Sequence, residues 1–205
     1  MLFWILFILF WIPIRVLYPT KIMGKKNLPK DKGFVLTCNH YSNLDPIILD
    51  IKLNKKIKFL AKKELFKTKI SAWFMKKIGA FPIDRQKPEM SSFKFALNTL
   101  KENKILGIFP EGTRNKTGED SLQEVKSGAI VFAGKGEAQI VPAVFYRKSR
   151  MFRKNYLLIG EPISLEAENT KKMTPEELEL NTQKLTDAMN TLREDFSQKK
   201  NKKRK

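Results

Sequence analysis

Residues 39–45 read NHYSNLD and hold the only histidine of the chain, His40, five positions ahead of Asp45. An imidazole within reach of a carboxylate is a general base for a hydroxyl group. The carboxylate fixes the ring tautomer and stabilises the cation formed when the other ring nitrogen accepts a proton. Imidazole titrates close to neutrality, so a large neutral fraction is available as base near pH 7, and the chemistry needs no metal or other cofactor. Asp45 has two readings. Pro46 follows it, and Pro is favoured at the first helical position, so Asp45 can cap a helix PIILDIKL; alternatively the chain turns through residues 41–44 and returns the carboxylate to His40. Cys38 and Ser42 offer a third route, in which His40 activates a side-chain nucleophile, although neither lies in a G-x-S-x-G elbow.

A second cluster of residue types suits an anion. FPEGTRN at 109–115 joins a strand end, a Pro that stops it, a Gly that lets backbone approach a ligand, and Arg114, whose guanidinium can fork onto phosphate. Arg85, at the end of GAFPIDR, and Lys126, in KSGA, supply two more cations. Glu111 would repel a phosphate, so its expected work is to pair with an Arg or to accept a hydroxyl hydrogen bond and hold the loop in shape.

These residues need a frame to bring them together. FVLTC (34–38), IKFLA (57–61), GAFPI (79–83), ILGIF (105–109), IVPAVFY (140–146) and YLLIG (156–160) read as short apolar strands, and helical patterns separate the first five. In residues 88–103, Met90, Phe93, Leu97 and Leu100 recur at helical spacing. The alternation predicts an α/β fold with a central mixed, largely parallel sheet flanked by helices. In such a sheet ligands gather beyond the carboxyl ends of the strands, which is where NHYSNLD, the Asp-Arg pair and PEGTRN all fall. Near the C-terminus, Thr174, Pro175 and Glu177 form a capping-box start, and Leu178, Leu185, Met189, Leu192 and Phe196 make a stripe expected to pack on the domain or to lie on lipid.

The chain has 205 residues, 42% of them hydrophobic, and a formal charge of +19, which fits one domain with a sizeable core and an anionic partner. One Cys and one His cannot form an internal disulfide or a His/Cys zinc site, and no clustered acidic motif suits a magnesium ion. No RNA-binding or helix-turn-helix signature supports nucleic acid as the partner. Residues 1–14, MLFWILFILFWIPI, carry no charge. A helix over residues 1–18 would extend roughly 27 Å, close to the ~30 Å hydrocarbon core. Pro13 interrupts it, and Trp4, Trp11, Arg15 and Tyr18 are residue types of the lipid–water boundary, so the expectation is a membrane helix that spans or inserts in one leaflet. The absence of a positive n-region and of a small-residue cleavage site argues against a signal peptide. The basic tail SQKKNKKRK (197–205) suits an anionic leaflet, and positive-inside bias places the domain on the cytoplasmic face. The expected organisation is an anchor at 1–20, a domain at 21–165, an amphipathic helix at 170–197 and a disordered basic tail at 198–205.

Taken together, these blocks resemble the lysophosphatidic acid acyltransferase family, the 1-acyl-glycerol-3-phosphate acyltransferases. NHYSNLD matches its NHxxxxD block, GAFPIDR its second block, FPEGTRN its EGTR block and IVPAV its fourth, in family order over about residues 21–165. Pro82 and Ala143 depart from the commoner residues of the second and fourth blocks, in positions that concern packing and pocket shape. The resemblance implies a glycerol-3-phosphate acyltransferase-like fold and transfer of a fatty acyl group from acyl-CoA or acyl-carrier protein to the 2-hydroxyl of lysophosphatidic acid, giving phosphatidic acid in phospholipid biosynthesis. It implies His40 as base and Asp45 as its orienting partner. Glu111, Gly112, Thr113 and Arg114 would form the glycerol-phosphate binding site with Arg85, and Lys126 would reach the phosphate. Val141 and Pro142 would lie on the acyl side of the site or be a packed strand end. Glycerol 3-phosphate or another lysolipid is the alternative acceptor, and a basic membrane-tethered binding protein without catalysis is the alternative class.

Overall fold

The computed structural model describes residues 13–84, 90–117 and 121–202. Its centre is a seven-stranded sheet of β1 (Thr20–Met23), β2 (Phe34–Cys38), β3 (Ile57–Lys62), β4 (Ala80–Ile83), β5 (Ile105–Ile108), β6 (Gln139–Phe145) and β7 (Asn155–Ile159). The spatial order is β1-β7-β6-β2-β5-β3-β4. β6, β2, β5, β3 and β4 run parallel, β7 pairs antiparallel to β6, and β1 runs parallel to β7. The sheet is therefore mixed and largely parallel, as the alternation of elements implies.

The helices beside it are α1 (Asp45–Leu53), α2 (Lys69–Lys77), α3 (Met90–Lys101), α4 (Gly128–Lys135) and α5 (Pro175–Lys202). All five residues of β2 are buried, the signature of a central strand covered on both faces. Alternation then divides the core. Phe34, Leu36 and Cys38 join Ile48, Leu49 and Leu53 of α1, while Val35 joins Ala96 and Leu100 of α3, Ala129 and Ile130 of α4, and Leu185 and Met189 of α5. Burying each of these Leu or Ile side chains contributes about 1.5–3 kcal/mol, which fixes the position of β2 and the loop that leaves it.

β1 starts at Thr20, and the chain just before it packs on the domain: Ile14 is buried in the core, Leu17 O accepts from Phe152 N (2.7 Å), and Pro19 O from Asn155 N (2.8 Å). Residues 13–19, expected in the anchor, thus lie against the domain. The expected membrane helix at 1–18 falls mostly outside the described residues, and among those no helix is long and apolar enough to cross a membrane. At the other end Thr174 and Glu177 form the reciprocal cap (Thr174 N to Glu177 Oε2, 2.8 Å; Glu177 N to Thr174 Oγ1, 3.2 Å). The stripe packs on the domain, with Phe196 against the rings of Tyr146 and Tyr156. The helix continues through Lys202, past the expected start of the disordered tail at 198. Pro82 sits in β4, the edge strand, where a missing amide donor is tolerated.

Candidate active site

β2 ends at Cys38, and the next residue locks the strand end in place. Asn39 is fully buried; its Oδ1 accepts from Phe145 N (2.7 Å) and its Nδ2 donates to Phe145 O (3.0 Å), tying the end of β2 to the end of β6. The chain then turns, with Asp45 N donating to Ser42 O (3.0 Å), and α1 begins. Asp45 is the first residue of α1 and Leu44 occupies the cap position without a side-chain cap bond. The helix-cap reading of Asp45 is therefore corrected: its carboxylate points backward into the turn, away from the helix amides. Asp45 Oδ2 accepts from Tyr41 N (2.7 Å) and Ser42 N (2.6 Å) and lies 3.0 Å from His40 Nδ1. Two backbone donors hold the carboxylate, so the carboxylate can hold the ring. With Nδ1–H donating to Asp45, the ring's Nε2 is the atom left to act as base.

The FPEGTRN loop completes the arrangement, and it does so through the backbone of His40. Glu111 Oε2 accepts from His40 N (3.1 Å), and Asn115 N donates to His40 O (2.7 Å), so both peptide groups flanking the His40 side chain are bound by one loop. Glu111 Oε1 accepts from Gln123 N (3.3 Å). The partners of Glu111 are thus two amides, where the sequence suggested an Arg or a hydroxyl. Burial raises the Glu111 carboxyl above its ordinary range, against the bonds from His40 and Gln123, which lower it. Gly112 makes the tight turn (φ 67°, Gly112 N to Phe109 O 3.0 Å), and a Cβ there would sit 3.4 Å from Lys126 Cδ. Lys126 N donates to Pro110 O (2.9 Å).

The predicted residues therefore separate. His40, Asp45 and Glu111 meet in one bonded network, and Gly112 meets the Lys126 side chain. Thr113 and Arg114 lie on the same loop with exposed side chains. Arg85 falls outside the described residues. Val141 and Pro142 are buried in β6, where Val141 O accepts from Thr37 Oγ1 (3.4 Å) and Pro142 O from Gly160 N (2.8 Å), so both have the packed strand role. Cys38 is buried, and burial pushes its thiol well above the ordinary value, with the charge of Asp45 adding to the rise. A thiol held protonated in this way is a poor nucleophile. Ser42 Oγ accepts from Leu44 N (3.2 Å).

Four further residues shape the site without announcing themselves as chemistry. The Phe109 ring stacks on His40 (centroids 4.0 Å, 20° between planes), and Phe59 stacks on Phe109 (5.7 Å, 9°). Gly107 makes room for this column, since a Cβ there would come within 2.3 Å of the Phe59 ring. Asn39 anchors the strand end. The aromatic column could have been suspected from the glycine in the strand ILGIF, but the pairing of its rings could not.

A largely parallel sheet that presents a His–carboxylate pair on a loop at its strand ends defines a class of proteins able to take a proton from a bound hydroxyl group. The chain belongs to the Acyltransferase family, whose model matches residues 19–146. It is 45% identical over 149 residues to the 1-acyl-sn-glycerol-3-phosphate acyltransferase of Bacillus subtilis, a match covering 70% of this chain and 73% of that protein. A protein of the same name from Streptococcus pneumoniae is 32% identical over 157 residues, 73% of this chain and 56% of that protein. Among solved structures, the 1-acyl-sn-glycerophosphate acyltransferase of Thermotoga maritima superposes with a TM-score of 0.63 at 25% identity, covering 86% of this chain and 72% of that one.

Proposed function

We propose that the protein is a 1-acylglycerol-3-phosphate O-acyltransferase that moves a fatty acyl group from acyl-CoA or acyl-carrier protein to the 2-hydroxyl of lysophosphatidic acid, giving phosphatidic acid. The observation that carries this reading is the His40–Asp45 contact of 3.0 Å, held by the same loop that presents Thr113 and Arg114 to solvent. The names of the relatives supply the substrate class. His40 Nε2 takes the proton of the 2-hydroxyl as its oxygen attacks the thioester carbonyl carbon. The tetrahedral adduct collapses, the C–S bond breaks, and the departing thiolate takes the proton back from the imidazolium. The ester and a free thiol result, and His40 returns neutral.

Asp45 keeps Nδ1 protonated and offsets the charge of the imidazolium. Arg114 and Lys126, exposed cations at the rim, bind the acceptor's phosphate together with Arg85, and the buried Cys38 thiol favours direct attack over an acyl-cysteine. No metal or cofactor enters the steps. The apolar residues 1–14 and the lysine-rich C-terminal end keep the protein at an anionic membrane surface with its domain on the cytoplasmic face, where a lipid acceptor is found. The test is purified full-length protein given radiolabelled acyl-CoA or acyl-carrier protein with a panel of lysophosphatidic acid, glycerol 3-phosphate and neutral lysolipids. Label in phosphatidic acid is expected; label in no glycerolipid with either donor overturns the proposal, and preference for glycerol 3-phosphate reassigns the acceptor.

A further inference from the structure

Helix α2 is built the wrong way round for a helix that serves only to cover a sheet. None of its residues is buried. Ile70, Trp73, Phe74 and Lys77 fall at positions i, i+3, i+4 and i+7, which form one stripe, and Ile70, Trp73 and Phe74 on it are 81%, 46% and 38% exposed. Smaller or partly covered residues, Ser71, Ala72 and Met75, take the opposite side. Leu65, in the turn before the helix, is also exposed. A helix with so little burial needs another source of order, and it has a reciprocal cap between Thr68 and Ser71, whose bonds include Ser71 N to Thr68 Oγ1 at 3.1 Å.

The surrounding charge identifies what this stripe meets. Between residues 62 and 77 there are six lysines, Lys62, Lys63, Lys67, Lys69, Lys76 and Lys77, and one carboxylate, Glu64. Lys77 Nζ lies 5.9 Å from the centre of the Trp73 ring. Exposed Trp, Phe and Ile flanked by Lys are the composition of a helix that lies in the headgroup region of an anionic bilayer, with its apolar stripe at the acyl boundary and its lysines among the phosphates. We propose that α2 and the turn before it form a membrane-docking surface for anionic phospholipid. The surface lies at the β3–β4 edge of the sheet, beside an open cleft of about 610 Å³ whose lining includes Lys63, Phe66, Lys67, Phe81 and Pro82. β3, whose edge neighbour β4 borders this cleft, also carries Phe59, the outer ring of the column stacked on His40. The inference concerns how the protein meets the membrane and stands whether or not the acyl-transfer reading does.

The chain has three tryptophans, at 4, 11 and 73, so Trp4→Phe with Trp11→Phe in the full-length protein leaves Trp73 as the sole reporter. Mixed with phosphatidylglycerol/phosphatidylcholine vesicles, this protein is expected to show a blue-shifted Trp73 emission that is quenched by spin-labelled lipid near the headgroup and protected from acrylamide. Adding Lys69→Glu and Lys76→Glu to the same protein is expected to weaken partitioning to these vesicles roughly tenfold or more. A Trp73 that stays fully open to acrylamide on the vesicles overturns the proposal. So does a Trp73 shielded without vesicles in step with a doubling of mass, which would assign the stripe to a second copy, or one shielded only by acyl-carrier protein.

Discussion

The loop that carries His40 and the rim that carries the cations are built on opposite plans. Around His40 the polar groups that fix the ring are buried: Asn39, Asp45, Glu111 and Asn115 are each 3% exposed or less. Each has a backbone partner, so the imidazole is held by strand ends that move only if the core moves. Thr113, Arg114 and Lys126, by contrast, are exposed. Proton transfer requires an atom placed within a few tenths of an ångström, and displacement of the base is punished steeply. A dianionic phosphate attracts flexible cations over several ångströms, so its binding tolerates long side chains in solvent. Glu111 belongs to the first plan although it stands in the sequence of the second: the EGTR stretch divides, with its carboxylate bonded to the His40 backbone amide and its Arg114 side chain exposed.

If the comparison is right, substitutions in the two regions have different kinetic signatures. The largest effect is expected for His40→Ala, which removes the base: turnover with labelled acyl donor and lysophosphatidic acid falls by about 10³-fold. Retained turnover would place the base elsewhere. Glu111→Gln comes next and tests the division of EGTR directly. An amide in place of the carboxylate can accept from only one of the two N–H groups and turns a donor toward the other, so kcat is expected to fall about tenfold, with a lower melting temperature and little change in the acceptor's KM. A change in KM alone would return Glu111 to the anion rim. Arg114→Ala is the converse case, expected to raise the acceptor's KM about tenfold with kcat nearly kept, and to lessen the dependence of KM on salt.

The smallest effect lies outside both regions and concerns pH. Burial lifts the Asp50 carboxyl from its ordinary 3.8 to about 6, against the N–H of Ile57 (2.8 Å) and the charges of Lys58 and Lys56. The folded chain therefore keeps a proton that the unfolded chain releases. That stabilisation is fully present below pH 3.8 and is lost as pH rises through about 6. Asp50→Asn keeps an acceptor for Ile57 N–H and removes the titration, so thermal melts of the variant should depend less on pH across this window than those of the parent; identical pH dependence would show that Asp50 is not the group responsible.

How much of this could be read from the sequence follows from the range of each interaction. The six strands expected from apolar runs each lie within a residue or so of their structural bounds, because strands buried in the sheet need unbroken apolar residues, most plainly the central parallel β2, β5 and β6. β1 escaped notice: TKIM has two apolar residues and alternates half-buried with exposed positions, so only its pairing with β7 makes it a strand. His40 and Asp45 were legible because both lie in one seven-residue stretch. The role of Glu111 was not, because its partner is a backbone amide 71 positions away, and an amide leaves no mark in a sequence. The outward stripe of α2 is hidden for a related reason: spacing shows which residues share a face but not which way the face points.

The central claim is that Asp45 holds the proton on Nδ1 so that Nε2 of His40 is the base. With one histidine in the chain, protein labelled with ¹⁵N in its imidazole ring gives the signals of this ring and no other. In the neutral form, the predicted spectrum has Nδ1 at the shift of a protonated ring nitrogen and Nε2 at that of an unprotonated one, with Asp45→Asn abolishing the preference. A neutral ring protonated at Nε2 in the parent protein would contradict the account.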